Sequence, residues 1–328
     1  MKRNYWAAIA LLSVAVVWGA AFVLMKDAIE RQPLYDFLAV RFTIATLIMI
    51  AVRPQVLKAI DKELLKKGIV LGLLLSGGYI TQTIGLSMTT AAITGFITGL
   101  YVVLTPILGW LILGQKAGTK VIWGVALATV GLALISITGV SIEVGQIWVM
   151  LCALLFAAHI IGLGAWSKGL NTYALTVIQL GVTACVSWFG ALGDGVQMPG
   201  DFDGWFAILF TAVFSTAIAF FVQTWAQSHM DASRVAIILT SEVVFAAAIS
   251  VAVGQEVLQL KTILGGLIMI AAMERGAGGE HPQGFAQPLL QCDVPSHKQG
   301  ESCKAQALPA RVGFPCRDLQ EDQTVGSR

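Results

Sequence analysis

Nine apolar runs of about 20 residues, separated by short polar links, constrain this chain more than any other feature. A helix needs about 20 such residues to cross some 30 Å of hydrocarbon, where a bare N–H or C=O finds no partner. The runs are Tyr5 to Met25, Leu34 to Val52, Gly68 to Met88, Ile93 to Leu113, Val121 to Ile137, Gly145 to Leu163, Tyr173 to Leu192, Trp205 to Trp225 and Val235 to Val253. They are continuous and rich in Leu, Ala and Ile, without the alternation of a barrel strand, which predicts an all-α integral membrane protein. Composition agrees. Of 328 residues 56% are hydrophobic and only 12% are charged, about half the charge of a soluble domain. A water-soluble globule is excluded, and a net charge of +2 leaves nothing to recruit nucleic acid.

Lys2 and Arg3 before the first run resemble the start of a signal peptide, but the run is longer than a signal's apolar core and further spans follow, so an uncleaved first helix is expected. Links on the N-terminal side carry Lys2, Arg3, Arg53, Lys58, Lys62, Lys66, Lys67, Lys116, Lys120, Lys168 and Arg234; the other side has Lys26, Arg31 and Lys261. The positive-inside rule places the N-terminus in the cytoplasm. The link with Asp194, Asp201 and Asp203 then lies outside, and the expected location is the cytoplasmic (inner) membrane of a bacterium. Five scattered cysteines, Cys152, Cys185, Cys292, Cys303 and Cys316, form neither a metal pattern nor a disulfide framework.

Shifted by about 140 residues, the sequence overlies itself. Ala92 to Gln115 falls on Ala232 to Gln255, each a helix ending in Gly-Gln; Arg41 falls near Gln179, and Gln82-Thr83 on Gln223-Thr224. Two copies of a five-helix unit follow, over 1–137 and 145–273. Five is odd, so the second copy enters the membrane from the opposite side, giving inverted repeats about a pseudo-two-fold axis in the membrane plane. Such a pair has two near-equivalent packings, one opening a central cavity inward and one outward. The rival reading is duplication without transport, as in a channel, a sensor or an assembly subunit.

Trp18-Gly19, Arg41, Gln82 with Gly85-Leu86, the run GLYVVLTPILGWLILGQ from Gly99 and SEVVFAAAISVAVGQE from Ser241 resemble the EamA-domain transporters of the drug/metabolite transporter superfamily, over residues 1 to about 273. The resemblance implies a ten-helix carrier with two EamA repeats and both termini cytoplasmic, moving small metabolites or drugs, often outward. Its members handle amino acids, sugars, nucleotide derivatives and drugs, so it names no substrate. Val243 departs from the pattern: the second repeat commonly has Pro there, so a proline-made break after Glu242 loses its basis.

A charge at membrane depth is costly unless it faces a wet cavity or a partner. Arg41 and Glu242 are therefore the charged candidates, Arg41 for an anionic substrate or for Glu242 itself, Glu242 for a coupling proton or a cationic substrate. Snorkelling of Arg41 to the headgroups and a purely structural Glu242 are the competing readings. His159 is a further titratable candidate. Gln82 and Gln223, and Arg41 and Gln179, stand at equivalent places and can face one another across a cavity, with Tyr79, Tyr101, Trp18 and Trp225 as aromatic walls. Gly95 and Gly99 form a GxxxG, which predicts a close crossing with the equivalent ninth helix, homodimerisation through that face being the competitor. Pro106 removes a backbone hydrogen bond and is a candidate hinge.

No HExxH, P-loop, G-x-S-x-G or strand-flanked GxGxxG is present, so neither catalytic residues nor a metal nor a cofactor is expected. Energy then comes from an ion gradient, a proton's among them, or from the substrate's own. Thr262 to Met273 supplies only about 12 apolar residues, a reach near 18 Å, so the tenth helix reads as truncated where Glu274-Arg275 interrupt it. From there to residue 328, Gly, Pro, Gln and charges dominate. A disordered polar tail is expected over 274–328, produced by a frameshift or an altered C-terminus, with a defective transporter as the subsidiary reading.

Overall fold

A computed structural model describes residues 2–89, 91–114, 117–136, 143–193, 195–254 and 260–277, and all regular structure among them is helical. The first three spans are α1 (Lys2–Arg31), α2 (Leu34–Val52) and α3 (Lys62–Met88), with a 3-10 turn over Pro54–Ala59. The fourth is two helices, α4 (Ala91–Gly99) and α5 (Tyr101–Leu113), and the fifth is α6 (Thr119–Ser136). The second copy repeats the order with α7 (Val144–Trp166) and α8 (Thr172–Ala191). Its third member is α9 (Phe202–Phe210), a π-helical stretch over Thr211–Ile218 and α10 (Ala219–Gln227); its fourth is α11 (Ala232–Leu239) and α12 (Glu242–Ala252); its fifth is α13 (Leu260–Ala277). Among the described residues seven spans are long and apolar enough to cross a membrane outright, and shorter apolar helices cover Ile97–Leu113, Thr119–Gly131 and Ile263–Ala272. This is a multi-pass membrane protein.

Local chemistry sets the ends. Asp61, Asn171 and Asp201 cap α3, α8 and α9, each side-chain oxygen accepting from the backbone N–H three residues on at 2.7, 3.1 and 2.9 Å. Gly114 and Gly254, which the repeat superposes, both turn left-handed (φ 65° and 78°) where their spans stop. Only glycine adopts that backbone without strain, so the Gly-Gln signature marks one helix end used twice.

Spans four and nine are interrupted at matching places. Leu100 N–H bonds to Ile97 O and Val103 N–H to Leu100 O; in the second copy Ser241 bonds to Ile238, Val243 to Thr240 and Val244 to Ser241. These three-residue bonds tighten one turn of each span into 3-10 geometry. Neither break needs proline. Pro106 lies inside α5, more than a turn beyond the break at Leu100, and the second copy breaks just before Val243, where proline is missing. There the Thr240 and Ser241 hydroxyls donate to Ala236 O and Ile238 O at 2.6 Å, adding side-chain bonds that compete with the regular ladder.

The apolar part of the tenth helix is as short as the sequence predicts, Ile263–Ala272, and the helix extends beyond it. It runs unbroken for 18 residues through Glu274 and Arg275 to Ala277, about 27 Å along its axis. Those charges end the apolar run but not the helix, because Met, Glu, Arg and Ala are all strong helix formers. The expectations for the tail beyond Ala277 lie outside the described residues.

The helices pack by exchange between the repeats. α1 lies on α12 and α10 as α7 lies on α5 and α3; α2 lies on the π-stretch of the eighth span as α8 lies on α3; α2 pairs with α8, and α6 with α13. Two buried cores result, one around Phe37, Phe42, Leu71 and Leu175, the other around Leu11, Val102, Ile160 and Ile237. Trp18 and Phe156, repeat counterparts, pack against both. The exchange is most uneven at one place. α11 rests on α5, α6 and α7, whereas its counterpart α4 touches α12, the counterpart of α5, more lightly and makes no comparable contact with α1 or α13.

A methyl group added at Gly95 would meet nothing within 4 Å, so that glycine is not itself at a close crossing, although α4 does touch α12 of the ninth span. The close crossings are elsewhere. At Gly19 a Cβ would lie 2.7 Å from Ala246 N and 2.8 Å from Glu242 O; at Gly72, 2.6 Å from Val182 Cβ and 3.0 Å from Gln179 O; at Gly85, 2.8 Å from Gly145 O. Small residues let backbones approach in lipid. Gly68 and Gly72 form their own GxxxG in the sequence, on the face of α3 that meets α8.

Candidate functional site

Between the two repeats lies a cavity with ≈ 580 Å³ of empty space including its mouth. Trp18, Phe22 and Met25 of α1, Arg41 of α2, Leu75, Tyr79 and Gln82 of α3 and Tyr101 of α5 line it from the first repeat. Phe156, His159 and Ile160 of α7, Ser215 of the π-stretch, Phe220 and Gln223 of α10, Leu239 of α11 and Glu242 of α12 line it from the second. Many are repeat counterparts: Trp18 with Phe156, Phe22 with Ile160, Tyr79 with Phe220, Gln82 with Gln223. The pairing was visible in sequence for the glutamines. The same shift would have found Phe156 and Phe220.

Arg41 is fully buried. Its Nε donates to Thr216 Oγ1 at 2.7 Å, Nη2 to Ser215 Oγ at 3.1 Å and Nη1 to Met25 Sδ at 3.2 Å, while the guanidinium lies 5.0 Å from the Tyr79 ring centre and 5.4 Å from that of Phe42. It does not snorkel, and it forms no ion pair with Glu242: among the described residues the ion pairs are Arg31–Asp201, Lys67–Glu63 and Arg234–Asp231. Ser215 and Thr216 escaped the sequence reading because two hydroxyl residues in an apolar span carry no signal until a partner is known. The π-stretch that presents them is a form often found at functional sites, and Ser215 O also accepts from Trp18 Nε1 at 2.8 Å.

Glu242 is buried at the first turn of α12, where the helix dipole favours a carboxylate. Tyr101, at the first turn of α5, donates its hydroxyl to Glu242 Oε1 at 3.4 Å. Both broken spans thus deliver the start of their second half-helix to the cavity.

The other polar groups are held in chains. His159 Nε2 and Gln179 Oε1 are 2.8 Å apart, and Gln179 Nε2 donates to Thr224 Oγ1 at 3.2 Å. With the Gln179 oxygen accepting, His159 carries its proton on Nε2. Gln179 itself does not line the cavity; its oxygen is taken up by the histidine. Gln82 Nε2 reaches Thr98 Oγ1 at 3.4 Å, whereas Gln223 Nε2 donates to Gln227 Oε1 at 3.1 Å and leaves its own buried Oε1 without a donor among the described residues. Trp225 does not line the cavity and instead packs on His229, 5.2 Å between ring centres. Among the described residues no three His, Cys, Asp or Glu side chains cluster as metal ligands would.

Away from the cavity, the links at one membrane face are tied together. Arg31 Nη1 pairs with Asp201 Oδ2 at 2.9 Å, Gln32 Nε2 donates to Gln197 O at 2.8 Å, and Gln197 N–H donates to Asp36 Oδ2 at 2.8 Å. The Gly204 backbone N–H, and then Arg31, hold the Asp201 carboxyl below the usual carboxylate range.

Comparison with known proteins agrees with this architecture. Residues 5–137 and 143–273 each match the EamA-like transporter family. An uncharacterized transporter of Archaeoglobus fulgidus is 35% identical over 274 residues, 83% of this chain and 86% of that protein. The uncharacterized transporter YetK of Bacillus subtilis is 25% identical over 241 residues, 68% of this chain and 72% of its own. A protein known from a crystal structure shares the fold, with a TM-score of 0.71 at 15% identity over 83% of this chain and 96% of the other.

Proposed function

This chain belongs to the EamA-like transporter family, and on that premise we propose that it is a secondary carrier of small metabolites or drugs, working by alternating access around the cavity between its repeats. The observation that carries the reading is the exchange-symmetric packing with its most marked asymmetry among the described residues: α11 closes onto α5, α6 and α7, while α4 stands off from α1 and α13. A second packing, with α4 closed and α11 released, is the same structure with the repeats exchanged, so its energy is close to the first. That near-degeneracy is what a rocking carrier requires. With the N-terminus in the cytoplasm, as the Lys and Arg distribution implies, the closed side is the cytoplasmic one and this packing opens outward. Export is the direction the family resemblance implies, and Glu242 is the coupling group if a proton drives it.

Counterflow in sealed proteoliposomes tests the proposal. Exchange of labelled compound that saturates and requires unlabelled compound on the far side supports a carrier; unsaturable conductance contradicts it and indicates a channel. A pH-driven component that survives Glu242→Gln removes Glu242 from coupling.

A further inference from the structure

The polar groups of the cavity wall answer one another with one exception. Arg41 donates to Thr216, Ser215 and Met25 and is hydrogen-bonded to Tyr79; His159 meets Gln179, and Glu242 meets Tyr101. Gln223 is only 2% exposed, and its Oε1 is the one buried atom of this wall without a partner among the described residues. The orientation of its amide is fixed from behind. Gln227, one turn further along α10, donates its Nε2 to Ile160 O of α7 at 2.7 Å. A carbonyl oxygen only accepts, so the Gln227 amide has one orientation, and its Oε1 is left for Gln223 Nε2 at 3.1 Å. Turning the Gln223 amide over would set its oxygen against that of Gln227, and turning both would set the Gln227 oxygen against Ile160 O. The relay is anchored in backbone and leaves the acceptor end of Gln223 to the cavity. The fold does not require it: the repeat places Leu86 where the second copy has Gln227, and Gln82 bonds instead to Thr98, a hydroxyl that can give or take a hydrogen and so fixes no orientation.

From this relay, and resting on the reading of the cavity as the carrier's binding site, we propose that Gln223 selects ligands bearing an N–H or O–H donor and that Gln227 is the positioning residue that makes it do so. A site built around a buried acceptor discriminates against an analogue whose donor is replaced by a methyl group or an ether oxygen, because the acceptor then stays desolvated and unanswered. Trp18, Tyr79, Phe156 and Phe220 on the same wall suit a flat apolar body behind that donor.

Matched ring compounds test this on the purified full chain in detergent: indole with 1-methylindole and benzofuran, and phenol with anisole, titrated by calorimetry. Dividing each Kd ratio by the same ratio in Gln223→Met cancels partition into the micelle. The expected result is that the donor compound of each set binds about five-fold or more tightly than its partners. Gln227→Leu, which installs the side chain of the first copy, should bring the preference within about two-fold, because the freed Gln223 amide can turn either end to the cavity. Gln227→Glu should keep the preference, since a carboxyl oxygen still accepts from Gln223 Nε2; a merely structural role would be disturbed alike by both variants. Equal binding within each set would mean that water alone answers Gln223 Oε1, and overturns the assignment. So does the full preference surviving in Gln227→Leu, its loss in Gln227→Glu as well, or failure of every compound to bind. Each of these leaves the carrier standing, whereas donor-selective binding by a protein that fails the counterflow test keeps the assignment and overturns the carrier.

Discussion

Arg41 and Gln179 occupy the same place in the two repeats, yet they do opposite things. Arg41 turns its charge to the cavity and leans on neutral hydroxyls, whereas Gln179 turns away from it and joins His159 to Thr224. The elements they meet differ too: α2 packs on a π-helical stretch, and α8 on the regular helix α3. Duplication supplied the scaffold and the half-helices. On the proposed function the chemistry lies where the copies have diverged, so the comparison between them is the thing to break.

Gly19 and its counterpart Ala157 give the largest expected contrast. A side chain at Gly19 would strike the backbone of α12 at 2.7 and 2.8 Å, and backbone cannot step aside. Gly19→Val should cost about 3 kcal/mol or more through overpacking, seen as loss of monodisperse protein or a steep fall in Tm in detergent. Ala157 already carries its methyl group fully buried, and Ala157→Gly should cost about 1 kcal/mol from helix propensity. Equal effects at the two sites would mean that the α1–α12 contact is not the tight one.

Second in size is the polar pair itself. Gln179→Leu leaves His159 and Thr224 without their shared partner in the interior, and should cost about 1–3 kcal/mol in thermal stability. Arg41→Met removes a desolvated cation that has no counter-ion among the described residues, so stability should hold or rise while transport is lost. Should Arg41→Met unfold the protein and Gln179→Leu spare it, the assignment of the two residues to function and to structure would be reversed.

The smallest effect is expected at the clamped links. Because the Asp201 carboxyl titrates below its ordinary range, its contribution to stability is present above that range and is lost as pH falls through the depressed value. An acid melting series should therefore show wild type converging on Asp201→Asn at low pH and exceeding it slightly near neutrality. A gap that is unchanged at low pH would remove the ionised Asp201 from the clamp.

Much of this was legible in the sequence, for identifiable reasons. The spans follow from the run length that hydrocarbon demands, and Leu34 to Val52 came out residue for residue. Arg41, Glu242, Gln82 and Gln223 were found because a buried charge is expensive and because a repeat places equivalents across a shared space. What sequence could not give were features made by tertiary contact. The breaks at Leu100 and Thr240 use no proline, the π-stretch has no composition of its own, and Gly95 looks as able to pack closely as Gly72 until a neighbour is present or absent. Pro106 and the charges after Met273 do not end the helices that contain them. Each is a local breaker, of a helix or of an apolar run, that the surrounding structure tolerates.

The exchange of packings between the repeats can be measured directly with two pairs of spin labels that the repeat superposes: Met88 with Val253, and Leu113 with Ser228. Distances from pulsed electron resonance in lipid nanodiscs should fall into two populations for each pair, and any condition that shortens one pair should lengthen the other. Distances that are single-valued, or that lengthen and shorten together, would contradict the account.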